Sequence, residues 1–196
     1  MRIFKGRKNI SLGLYGPPNV GKTTLANKIS LDWTGEEMGT VSEIPHETRV
    51  VQKKEHVIIK TGNKKIEMNL LDMPGISTKV DYKEFMEHGM SDEEAHSRAK
   101  EATSGVIEAI KWLENVDVAL VVMDSTRDPY TQVNITIIGN LEARDIPIII
   151  VANKLDLPDA KPDMLRGAFP QHRVVEISAK TGSGIDALYR AIARTS

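Results

Sequence analysis

The sequence predicts an α/β fold: a mostly parallel sheet with one antiparallel edge strand and helices on both faces. Three observations predict it. Almost wholly apolar runs recur along the chain, at 116–123 and 148–152 among others, as strands buried on both faces require. Segments with helical i, i+4 apolar spacing lie between them. One pair of extended segments is joined by a tight turn, Thr61-Gly62-Asn63, so one antiparallel hairpin is expected.

The elements follow in order. Residues 9–15 alternate apolar and small side chains and end at Gly16, which reads as a strand; a Gly/Pro-rich turn follows. Residues 22–32 read as a helix with Leu25 and Ile29 on one face. Residues 33–48 carry Gly35, Gly39 and Pro45 and read as a loop. Residues 50–60 and 64–71 form the hairpin. After a loop at 72–80, residues 81–115 read as mostly helical, broken near Gly89. There Ser91-Asp92-Glu93-Glu94 has the form of a capping box that restarts the helix. A strand at 116–123 leads to a helix at 129–144, with Ile135, Ile138 and Leu141 on one face. Strand 148–152, a short helix at 162–168, strand 173–177 and a helix at 184–194 complete the chain. Trp33 and Trp112, at helix ends, are expected to pack.

Composition narrows the function. The chain has 196 residues, with 26 Lys+Arg against 27 Asp+Glu, a net charge of -1. That balance argues against a protein that is basic all over. With no cysteine, disulfides, thiolate nucleophiles and Cys-ligated metals are excluded. The five histidines, His46, His56, His88, His96 and His172, show no metal spacing. No apolar run is long enough to span a bilayer, and no apolar segment follows the basic leader Arg2, Lys5, Arg7 and Lys8, so a cytoplasmic chain is expected.

Four segments carry chemistry. Gly16-Pro17-Pro18-Asn19-Val20-Gly21-Lys22-Thr23 fits G-x-x-x-x-G-K-[ST] between a strand and a helix. Its glycines let backbone N–H groups turn toward phosphate oxygens. Lys22 can reach the β- and γ-phosphates, the Thr23 hydroxyl can ligate Mg²⁺, and the helix start adds its positive dipole end. Pro18, Asn19, Val20, Gly21 and Thr24 complete the phosphate-side candidates. Second, Leu70-Leu71-Asp72-Met73-Pro74-Gly75 places an Asp at the end of an apolar strand, where it can hold Mg²⁺, with the Gly75 N–H available to a γ-phosphate. Third, Asn153-Lys154-Leu155-Asp156 follows a buried strand. The Asp156 carboxylate can accept from N1–H and the 2-amino group of guanine, whereas adenine offers no such donor pair. Lys154 can lay its stem along the base, and Asn153 can brace the loop and reach N7. Fourth, Ser178-Ala179-Lys180 can present the Ala179 N–H to guanine O6.

In this order the segments resemble the small GTPase domain, over residues 9–194. Gly-x-Pro-Asn-Val-Gly-Lys with Asp-x-Pro-Gly is similar to the Era/EngA/TrmE group. The resemblance implies a Ras-like, three-layer P-loop fold with a six-stranded sheet. It implies GTP hydrolysis to GDP and phosphate, with Lys22, Thr48 and Gly75 in catalysis and Thr23, Thr48 and Asp72 on Mg²⁺. Thr48 is assigned because Pro45-His46-Glu47-Thr48-Arg49 resembles that group's switch I; Thr34 and Thr40 also lie in this loop. Asn19 matches the Asn that holds K⁺ in TrmE-like members. RNA, the ribosome or a protein effector is implied as a partner of switches I and II.

The chain departs from the Ras pattern at Ile76, where Ras-like GTPases carry the Gln that orients the attacking water. Slow intrinsic turnover follows. The segment at 77–105 is lengthened, and Phe85, Met86 and Met90 are its candidate partner contacts. The chain ends at the last helix expected of a G domain, so residues 1–196 read as one such domain without accessory domains. Two competing readings are a GTP-dependent binding module with incidental hydrolysis and a G domain of the ferrous-iron FeoB type; the lack of a membrane segment counts against the latter.

Overall fold

The computed structural model describes residues 10–38, 51–76, 91, 93, 94, 97, 107 and 109–195. Six strands, β1 (Ile10–Tyr15), β2 (Gln52–Thr61), β3 (Lys64–Asp72), β4 (Val118–Asp124), β5 (Ile148–Asn153) and β6 (Arg173–Glu176), form one sheet in the order β2-β3-β1-β4-β5-β6. Only β2 and β3 pair antiparallel. The labelled helices are α1 (Lys22–Thr34), α2 (Gln132–Glu142), α3 (Pro162–Ala168) and α4 (Ile185–Thr195).

β4 and β5 are apolar up to their last residue because helices cover both faces of the sheet, whereas β2, β3 and β6 carry exposed or half-buried polar residues. β4 shows this most clearly: all seven of its residues are buried. Val118, Leu120 and Val122 join one layer with Leu25 and Ile29 of α1 and Leu188 and Ile192 of α4. Ala119, Val121 and Met123 alternate to the other layer, with Ile137, Ile138 and Leu141 of α2 and Phe169. Trp33 packs edge-on against Tyr189, ring centres 5.3 Å apart.

The chain lays β3 on one side of β1 and β4 on the other, so β1 marks the point where strand order reverses. Parallel pairing brings Tyr15, Asp72, Asp124 and Asn153 to the same edge of the sheet, with Leu14 opposite Asp72 and Asp124 opposite Asn153. All four motifs therefore emerge at that edge.

Ile135 is 48% exposed, while the buried stripe of α2 runs through Asn134, Ile137, Ile138 and Leu141. A 3.6-residue period centred on that stripe leaves Ile135 beyond its edge. The capping box is present: the Ser91 N–H donates to Glu94 Oε2 at 3.0 Å, and the Glu94 N–H to Ser91 Oγ at 3.4 Å. Glu93 and Glu94 are helical after it. The basic leader, Thr40, His46, Thr48, Phe85, Met86 and Met90 lie outside the described residues.

Candidate nucleotide site

Residues 16–21 connect β1 to α1 by a turn that only glycine permits at two points. Gly16 has φ +151°, and a Cβ there would lie 2.3 Å from the Val122 carbonyl oxygen. Gly21 has φ +95°, and its Cβ would meet Asn153 Nδ2 at 2.3 Å. Asn19, also left-handed at φ +60°, is exposed at the turn. Lys22 is buried, and its Nζ donates to the carbonyls of Gly16 at 3.1 Å and Pro17 at 2.7 Å. Burial lowers the Lys22 pKa to about 8, against the opposing pull of the Asp72 charge. Its ammonium thus rests on neutral dipoles, which an anionic phosphate outcompetes. Thr24 stands half-buried in the first turn of α1, where unpaired N–H groups face outward along the axis.

Asp72 ends β3 fully buried. Its Oδ2 accepts from Thr23 Oγ1 at 2.7 Å, while Oδ1 is buried with no hydrogen-bond partner among the described residues. Burial raises the Asp72 pKa, and the Thr23 hydroxyl and the Lys22 charge oppose the rise. A hydroxyl and a carboxylate side by side, one oxygen still unpaired, fit a hard divalent ion whose remaining ligands are phosphate oxygens and water.

The chain after Asp72 folds over the phosphate turn. The Ile76 N–H donates to the Gly16 carbonyl at 3.1 Å, and a Cβ on Gly75 would lie 3.0 Å from Pro18 Cα. The Ile76 side chain is buried with Tyr15, Leu71 and Met73.

Asn153, the last residue of β5, ties three motif loops together. Its Nδ2 donates to the Val20 carbonyl at 2.8 Å, and its Oδ1 accepts from the Ala179 N–H at 2.9 Å. The Asn153 amide is thus engaged at both ends as a brace of the loops. The Ala179 N–H, read as a donor to O6, is bonded to Asn153. Asp156 is exposed, with Oδ1 accepting from Ser178 Oγ at 2.7 Å; that hydrogen bond holds its carboxyl below the usual range. The Ser178 hydroxyl also takes the Thr181 N–H at 3.1 Å, and Lys180 is exposed beside it.

Lys154 adopts φ +66°, and its Nζ donates to Asp124 Oδ2 at 2.7 Å. Sequence reading missed Asp124. The signal was available: like Asp72, it is an acid that closes a strand right after apolar residues.

The chain is similar to known proteins over most of its length. It is 30% identical to the tRNA modification GTPase MnmE of Synechococcus sp. over 186 residues, 95% of this chain and 33% of that one. It is 28% identical to the GTPase Era of Pseudomonas aeruginosa over 188 residues, 93% of this chain and 52% of that one. The chain thus spans between a third and about half the length of these curated relatives. Among solved structures, an Era variant from Aquifex aeolicus bound to GDP·AlF4− superposes with TM-score 0.71 at 25% identity, over 96% of this chain and 57% of that one. The FeoB G-domain of Methanococcus jannaschii shares the fold, with TM-score 0.57 at 21% identity over 96% of this chain and 98% of that one. A family model described as 50S ribosome-binding GTPase matches residues 11–154. With that match covering most of the chain, the protein belongs to the 50S ribosome-binding GTPase family.

Proposed function

We propose that the chain binds guanine nucleotide with Mg²⁺ and hydrolyses GTP to GDP and phosphate as a nucleotide-dependent switch. The observation that carries this is the Thr23–Asp72 pair, set one residue beyond Lys22, with no partner for Asp72 Oδ1 among the described residues. Thr23 and Asp72 hold Mg²⁺, joined by Thr48 from switch I. When bound, the ion neutralises charge on the phosphate oxygens. Lys22 leaves the Gly16 and Pro17 carbonyls for the β- and γ-phosphates. The N–H groups of residues 19–24 cradle the phosphates, with Pro18 shaping the turn, and Gly75 senses the γ-phosphate. Asp156 reads the guanine edge, with Ser178 holding its carboxylate, and Lys154 covers the base face; Ala179 and Lys180 complete that side. The relatives' printed activities support the reading, since both are GTPases.

Ile76 lies in the core and presents no group to a water molecule, so the intrinsic rate is slow. An unassisted small GTPase can lie about 10⁵-fold below its assisted rate. Asn19, exposed at the turn, is the candidate for a K⁺ ion that supplies the missing charge. Single-turnover hydrolysis in K⁺ and in Na⁺ tests this; equal rates sink it. Guanine selectivity is tested by displacement of a labelled GDP, and ATP competing as well as GTP sinks the reading.

A second reading is a GTP-dependent module that docks on RNA, ribosome or protein, with hydrolysis incidental. The family description and a solved Era complex with MgGDPNP and 16S ribosomal RNA favour it. Pull-down with GTP-locked against GDP-loaded protein separates the two. In either case residues 1–196 are read as one cytoplasmic G domain, with 77–105 as a lengthened switch II. Among the described residues no helix is long and apolar enough to cross a membrane.

A further inference from the structure

Asp124 is a charged group at the site edge that none of the four motifs includes. It is 7% exposed, and its two oxygens are divided between two tasks. Oδ1 accepts the Thr126 N–H at 3.0 Å and the Thr126 hydroxyl at 2.7 Å, which fixes the carboxylate to its own loop. Oδ2 takes the Lys154 ammonium at 2.7 Å, with Arg127 Nε farther off at 3.6 Å. The backbone is equally fixed. Asp124 lies opposite Asn153 in the parallel pair, and the Ser125 N–H donates to the Asn153 carbonyl at 3.0 Å. The carboxylate is therefore a rigid post beside the strand end from which Lys154 departs.

Lys154 needs such a post. It is left-handed at φ +66°, a conformation that a residue with a Cβ rarely adopts without being held. A lysine stem has four rotatable carbons and no directional preference of its own. Fixing its far end on Asp124 converts a loose chain into a fixed apolar strip between two anchored points. Burial works against ionisation of Asp124, but the Lys154 and Thr126 hydrogen bonds outweigh it and hold the carboxyl below its usual range.

We propose that Asp124 is a positioning residue of the base site: it grips the Lys154 ammonium so that the stem stands as a preformed wall for the planar face of a guanine base. The inference rests on reading residues 153–156 as the base-binding segment. Preorganisation of this kind cuts the ordering cost of binding and shows mainly in the dissociation rate.

A double-mutant cycle on the full chain tests it, with GDP affinity and release followed by a fluorescent GDP analogue. Asp124→Asn keeps the shape and is expected to weaken GDP about tenfold, mostly through faster release, a coupling within the range for contacting residues. In a Lys154→Met background the same substitution is expected to cost less than about twofold, because there is no ammonium left to hold. The Mg²⁺ concentration that half-protects GDP from release stays unchanged, since the phosphate side is untouched. Equal losses in both backgrounds, or no loss in the unmodified background, overturn the proposal. If the unmodified protein prefers GDP no more than ADP, the base-site reading itself fails, and this inference with it. Should Asp124→Asn not fold, the Lys154 methylene resonances of the unmodified GDP complex decide. A single set shifted upfield by the base ring supports the proposal, and averaged, unshifted signals overturn it.

Discussion

Thr23 Oγ1 donates to Asp72 Oδ2 at 2.7 Å, joining the first turn of α1 to the last residue of β3 across 49 residues of sequence. The contact places a hydroxyl and a buried carboxylate where a cation between them satisfies both. Asp72 Oδ1, buried and without a partner among the described residues, is the oxygen left for it.

Asp72→Asn is therefore expected to weaken Mg²⁺ binding. In the unmodified protein, chelation of Mg²⁺ is expected to speed GDP release. In the variant the ion's apparent affinity falls about 10–100-fold, the range seen when an oriented metal-site partner is lost. Stopped-flow GDP release against Mg²⁺ concentration measures it, and an unchanged midpoint would remove Asp72 from the site.

Asp156→Ala is expected to weaken GTP by about 10²–10⁴-fold, the loss of two hydrogen bonds to a charged acceptor. ATP affinity stays where it was. Asp156 is exposed, so the folded state is spared. Calorimetric titration with both nucleotides checks both halves.

Asn153→Ala removes both links that hold the phosphate turn and the Ser178–Lys180 loop to β5. It leaves the Val20 carbonyl and the Ala179 N–H without their partner. The expected destabilisation is about 2–4 kcal/mol. For a domain this size that lowers Tm by about 5–15 °C, visible in a thermal melt.

Ile76→Ala separates packing from chemistry. The side chain is 7% exposed in the layer under α2, so truncation costs about 2–4 kcal/mol of stability. The Ile76 N–H bond to Gly16 survives, so GDP and GTP affinities at a temperature well below Tm are unchanged. A large fall in affinity would mean that the side chain, not the backbone, shapes the phosphate turn.

Asp124 sets a pH dependence. Its carboxyl is held below the ordinary range, so its contribution to stability is complete above the unfolded value of about pH 4 and is lost as pH falls through the folded value. The Tm difference between the unmodified protein and Asp124→Asn is thus expected to be constant from about pH 5 to 7 and to shrink below about pH 4. A difference that grows on acidification would reverse the assigned sign.

The sequence by itself determined the order of the described strands and helices, because continuous apolar runs and i, i+4 spacing are local signals; most of the helical region expected at 81–115 lies outside the described residues. Helix α3 and the hairpin turn fall where spacing places them, and the capping box at Ser91 has the bonds its pattern requires. It also determined the phosphate turn, since Gly16 and Gly21 stand where no Cβ fits. Strand ends were less legible: β4 begins at Val118, not at 116, because apolar character does not reveal where pairing starts. Only the tertiary structure decided how the motifs join. Asn153 bonds to residues 133 and 26 positions away, and Asp124 reaches Lys154 across 30. Such contacts depend on which strands are neighbours and in what register. The order β1-β4-β5, which sets Asp124 opposite Asn153, is a property of the packed sheet that no local pattern encodes.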